Sequence, residues 1–99
     1  MSDAFAVDVH DGVIHVSGDL DAQTSPAVDE VISAMLADGA QELVFDLGAL
    51  DFLDSSGLRS MVLARGPQGD GRVVLRSPSS AVSRLLEITG LSEVFVVEP

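Results

Sequence analysis

Apolar residues cluster in short runs along this chain, and turn residues punctuate the gaps between them. Residues 5–9 and 13–17 are strand-like runs separated by His10-Asp11-Gly12, where Asp-Gly supplies the positive φ angles of a tight hairpin turn. A loop, Gly18-Asp19-Leu20-Asp21, follows the second run. Ser25-Pro26 then offers a capping oxygen and a proline suited to a first helical position, with Asp29 and Glu30 close behind. Val28, Val31, Ile32, Met35 and Leu36 fall on one stripe at i, i+3, i+4, i+7 and i+8, predicting an amphipathic helix that ends near Gly39.

Residues 43–47 form a nearly continuous apolar run, which predicts a central strand covered on both faces. Leu50 to Leu53 leads to Asp54, after which Leu58, Met61, Val62 and Arg65 recur at helical spacing until Gly66-Pro67. A second helix is therefore expected over residues 54–65. Gly69 to Gly71 turn the chain into a strand over residues 72–76, apolar at its centre with Arg at each end. Ser77-Pro78 reads as a second cap-plus-proline start, with Val82, Leu85 and Leu86 as the buried stripe and Thr89-Gly90-Leu91 as the stop. Residues 94–97 close as the last strand.

The element order predicts an α/β domain: an antiparallel strand pair followed by strand-helix-strand crossovers, which call for a mostly parallel mixed sheet with helices packed on it. A chain of 99 residues suits one domain with one modest core. Its four aromatic residues are all Phe, so aliphatic side chains and Met must fill that core, and little aromatic surface remains for stacking bases. Cysteine is absent, which removes disulfides, thiolate metal sites and a cysteine nucleophile. The opening Met1 to Phe5 has no basic region or apolar core of signal-peptide length, and no apolar run approaches a membrane span. The expected location is the cytoplasm.

Sixteen acidic residues against five basic ones, all Arg, give a formal charge of −11. Such a charge opposes nucleic acid and anionic lipid, and leaves two readings: an acidic soluble surface, or an acidic face shaped for a basic partner.

Asp51 to Leu58 is the one stretch whose residue types ask for chemistry. Asp54 is placed to cap the second helix, leaving Ser55 exposed in its first turn, with Gly57 keeping the surface open to close approach. A phosphate on Ser55 would meet the positive end of the helix dipole and need not unfold the helix. Read from residue chemistry alone, Asp54, Ser55 and Ser56 equally suit a plain helix start.

Asp54-Ser55-Ser56-Gly57-Leu58 resembles the phosphorylation signature of bacterial anti-sigma factor antagonists of the STAS family. The likeness extends to Gly18-Asp19-Leu20-Asp21, to residues 43–53 and to residues 77–91. The resemblance implies a STAS-like mixed sheet with three to four helices and Ser55 as phosphoacceptor, with Ser56 as the alternative. It implies a partner-binding surface of Asp19, Asp21, Asp54, Ser55, Ser56, Gly57, Leu58 and Arg59, the partners being an anti-sigma factor serine kinase and a PP2C-like phosphatase. The unphosphorylated chain would bind the kinase and release a sigma factor. No cofactor, metal or catalysis is implied, and the expected state is a monomer or weak dimer. Arg59 departs from the Gly that many members carry, and it sets a cation one turn from Ser55. The alternative is an unphosphorylated STAS subunit of a lipid-transport or signalling-scaffold complex.

Other constellations are weaker. Asp46, Asp51 and Asp54 suggest a receiver pocket, but that pocket needs a Lys and the chain has none. Neither Ser55 nor Ser56 has the Gly two positions earlier that a hydrolase elbow requires. His10 and His15 read as ordinary surface residues, and Asp19 with Asp21 as a solvated loop rather than a divalent-ion site.

Overall fold

A computed structural model describes residues 5–99; Met1 to Ala4, on which the reading of the opening segment falls, lie outside the described residues. The strands are β1 (Ala6–His10), β2 (Val13–Leu20), β3 (Glu42–Leu53), β4 (Arg72–Arg76) and β5 (Val96–Glu98). The helices are α1 (Ser25–Ala37), α2 (Ser55–Leu63) and α3 (Ser80–Thr89). The sheet runs in spatial order β1-β2-β3-β4-β5, with β1 antiparallel to β2 and every other pair parallel. Asp11 and Gly12, at φ 54° and 76°, make the predicted hairpin turn.

Because the strand order never reverses, three right-handed crossovers in succession leave all their helices on the same side of the sheet. One core results. It joins Ile14, Val16, Leu43, Phe45, Leu47, Val73 and Leu75 of the sheet to Val28 and Ile32 of α1, Leu58 and Met61 of α2, and Val82 and Leu86 of α3. The expectation that residues 43–47 are covered on both faces is thereby corrected. β3 is central, but Val44 and Asp46 on its other face are only half-buried because no helix crosses to that side. Charges cross that bare face in register: Asp8, His15, Asp46, Arg76 and Glu98 are successive partners from β1 to β5. His15 Nδ1 lies 3.6 Å from Asp46 Oδ2 and Arg76 Nε lies 3.2 Å from Glu98 Oε1. These half-exposed pairs contribute little stability, but they keep the face polar.

β3 is one strand of 12 residues rather than a strand followed by a connection. Its register against β2 shifts twice, with Ser17 opposite Ala49 and Asp19 opposite Phe52, so β3 carries an extra residue at each of two bulges. Leu47, Leu50 and Leu53 therefore all face the core at a spacing of three. β2 likewise continues to Leu20, so most of the expected loop Gly18-Asp19-Leu20-Asp21 is strand.

Two helix starts differ from expectation. α1 is capped by Thr24 rather than Ser25, without a side-chain bond, because Thr24 Oγ1 turns back to the Asp19 carbonyl at 2.8 Å and the Asp21 amide at 2.9 Å. Ser25 is buried instead. α3 is capped by Ser79, whose Oγ accepts from the Val82 amide at 3.2 Å. Ser77, at φ 58°, directly follows β4 and donates its amide to the Glu98 carbonyl at 2.9 Å. The predicted stop of α3 holds, with the Leu91 amide reaching the Leu86 carbonyl at 2.9 Å past Gly90. No helix of the described residues is long and apolar enough to cross a membrane.

Candidate functional site

The carboxyl ends of β2 and β3 lie side by side, and the chain turns there into α1 and α2. Leu20 pairs with Leu53, and the Asp54 amide donates to the Leu20 carbonyl at 3.2 Å, binding the two turns together. Asp19 and Asp21 thus lie beside the start of α2, with Leu20 buried beneath them.

Asp54 is the N-cap of α2. Its backbone is extended, and its Oδ1 accepts from the amides of Ser56 at 2.8 Å and Gly57 at 3.2 Å. Two of the helix's unpaired donors are satisfied in this way. Ser55 is the first helical residue and is exposed, and among the described residues its hydroxyl makes no hydrogen bond. Ser56 is half-buried and held from both sides: its amide goes to Asp54, and its carbonyl accepts from Ser60 Oγ at 3.4 Å. Those bonds engage the Ser56 backbone and leave both hydroxyls without a partner among the described residues, so what separates the two candidate acceptors is exposure: Ser55 is exposed and Ser56 half-buried.

Gly57 is not open to an approaching partner. It is buried, and a Cβ built on it would overlap the Leu53 side chain and stand 2.8 Å from Leu20 Cγ. The close approach that the glycine permits is internal: it seats α2 directly on the ends of β2 and β3. Leu58 also turns inward and is only 5% exposed. Arg59 is exposed one turn after Ser55 and joins no ion pair among the described residues.

Asp19 is exposed at the end of β2. Asp21 is half-buried, and its Oδ1 accepts from the amides of Gln23 at 2.9 Å and Thr24 at 3.2 Å, so this carboxylate organises the turn into α1. Among the described residues, no three His, Asp or Glu side chains gather to hold a metal ion. Asp46 lies on the bare sheet face beside His15, while Asp54 caps α2, so no receiver-like pocket forms from these acids. His10 and His15 meet edge-on with ring centroids 5.7 Å apart, away from any serine of the site.

Phe52 lies beside these residues, although the sequence analysis did not single it out. It is 51% exposed, opposite Asp19 in the ladder and two residues before Asp54. The signal lies in the spacing of Leu47, Leu50 and Leu53, which leaves Phe52 out of phase with the core. Leu63, also 51% exposed, continues the outer side of α2 beyond Ser55 and Arg59. Exposed aromatic and aliphatic side chains beside a polar centre are the usual anchors of a protein interface.

Comparison with known proteins adds to this geometry. The family model described as "STAS domain" matches residues 4–99. An anti-sigma-B factor antagonist of Staphylococcus aureus is 34% identical over 86 residues, covering 85% of this chain and 80% of its own length. The crystal structure of an anti-sigma factor antagonist from Mycobacterium paratuberculosis superposes with a TM-score of 0.74 at 37% identity, over 96% of this chain and 84% of that one. The anti-sigma factor antagonist SpoIIAA in its unphosphorylated form superposes with a TM-score of 0.73 at 27% identity, over 95% and 87% of the two chains. SpoIIAA, a Bacillus cell fate determinant, is also known in a phosphorylated form, which matches with a TM-score of 0.63.

Proposed function

Because this chain belongs to the STAS domain family, we propose that it is an anti-sigma factor antagonist whose docking surface is switched by phosphorylation of Ser55. The carrying observation is the free, exposed hydroxyl of Ser55 on a helix start already secured by Asp54. The unphosphorylated chain binds an anti-sigma factor that is itself a serine kinase, and so releases a sigma factor in the cytoplasm. Phosphorylation ends the binding and a PP2C-like phosphatase restores it. In this reading the chain is a substrate and ligand, not a catalyst.

The electrostatics support a switch that acts on docking rather than on folding. A phosphate adds roughly −1.5 to −2 charges at neutral pH. At Ser55 that charge stands at the positive end of the α2 dipole and one turn from the Arg59 guanidinium, so the free domain tolerates it. A partner surface complementary to Asp19, Asp54 and Phe52 must instead desolvate the phosphate among carboxylates. A differential interaction of about 4 kcal/mol weakens binding on the order of a thousandfold. Phosphopeptide mapping combined with partner pull-down tests modification and partner class together. Phosphate on Ser55 and loss of a kinase-type partner on modification are the expected results; an unmodified chain held constantly in a transporter complex would overturn the reading.

A further inference from the structure

The opposite end of α2 carries a second feature that the switch does not use. A cavity of about 510 Å³, open to solvent on one side, lies where the last turns of α1 and α2 meet the first residues of β3 and β4 and is bordered by the loop through residues 66–71. Its volume is in the range of small-molecule sites. Leu36, Ala40, Leu43 and Ala64 provide apolar wall, and Arg65 and Arg72 provide charge.

The two arginines differ. Arg72 is engaged, with its Nε 2.6 Å from Glu42 Oε2. Arg65 joins no ion pair among the described residues, and its Nε is shut off from solvent with no hydrogen-bond acceptor. An orphaned donor of this kind calls for an explanation. Among the described residues no hydrogen bond or ion pair holds the guanidinium in place, so turning the buried Nε outward to an anion in the cavity breaks none of them and supplies the acceptor that Nε lacks.

We propose that this cavity binds a small monocarboxylate with a short apolar body, its carboxylate paired with the Arg65 guanidinium. The fork of Nε–H and Nη–H matches two carboxylate oxygens, which a single ammonium does not. One charge is the right number: of the two arginines lining the cavity only Arg65 is free of an ion pair among the described residues, Asp70 also lines it, and a chain of formal charge −11 repels multiply charged anions. The apolar wall selects a hydrocarbon body over a bare inorganic ion. This proposal stands apart from the phosphorylation of Ser55.

The test is a titration of the full ¹⁵N-labelled chain by NMR, following the Arg65 Nε–H and the amides of Gly66 and Gly71, with sodium hexanoate as probe and hexanol and inorganic phosphate as comparators. Hexanoate is expected to give saturable shifts with a Kd of about 1 mM, roughly tenfold or more tighter than either comparator. Arg65→Gln should weaken hexanoate by roughly tenfold or more, and Arg65→Lys should recover only part of that loss. The remaining amide dispersion reports whether each variant is folded, and the wild-type titration needs no variant. Shifts that rise without saturating, equal affinity for hexanol or phosphate, or undiminished hexanoate binding by folded Arg65→Gln would each overturn the proposal.

Discussion

The two sides of α2 obey different rules. On the inner side Gly57, Leu58 and Met61 are buried against Leu20, Leu53 and the sheet, with no room for a side chain at Gly57. On the outer side Ser55, Arg59 and Leu63 are exposed and make no hydrogen bond or ion pair among the described residues through their side chains. One nine-residue helix thus separates the residues that hold the fold from those that, in the function proposed above, meet a partner. Modification of the outer side can change what binds without changing what is folded.

Substitutions can break that contrast, and the largest effect belongs to the inner side. Gly57→Leu must push α2 off the ends of β2 and β3, and a loss of about 3 kcal/mol or more is expected in urea unfolding, enough to threaten the domain. Gly57→Ala should also destabilise, by about 1–3 kcal/mol, although alanine favours helices over glycine. Here steric overlap with Leu20 and Leu53 exceeds helix propensity. A stabilised Gly57→Ala variant in thermal melting would show that the inner side yields more easily than its packing indicates.

Asp54→Ala lies between the two sides. It removes the acceptor for two amides at the start of α2, and a loss of about 1 kcal/mol in chemical denaturation is expected. On the outer side Ser55→Ala and Arg59→Gln should each stay within about 0.5 kcal/mol of wild type. Ser55→Ala is expected to abolish phosphate incorporation by intact-mass analysis with the cognate kinase. Full incorporation would move the acceptor to Ser56 or elsewhere.

Much of this architecture is legible in the residues themselves. Asp11-Gly12 names its turn, the stripe from Val28 to Leu36 names α1, and Asp54 names the cap that opens α2, because each rests on interactions a few residues apart. What escapes a linear reading depends on neighbours distant in sequence. The bulges of β3 are set against β2, so Leu50 to Leu53 looks like a connection and exposed Phe52 looks unremarkable. Gly57 is legible as a place of close approach, but only the packing of Leu20 and Leu53 shows that the approach is inward. Ser77 resembles a helix cap until the pairing of β4 with β5 claims its amide. The bare sheet face follows from strand order, which no local pattern encodes.

A phosphate on Ser55 that switches docking while leaving the fold alone must leave its mark in a paired measurement on one sample. Stoichiometric phosphoserine is placed at position 55, and the same sample is examined by calorimetric titration against the anti-sigma factor and by thermal melting. Binding weakened on the order of a thousandfold, equivalent to about 4 kcal/mol, is expected, with a melting temperature within about 4 °C of the unmodified chain. Undiminished binding, or weakened binding accompanied by a collapsed melting temperature, would contradict the switch at Ser55.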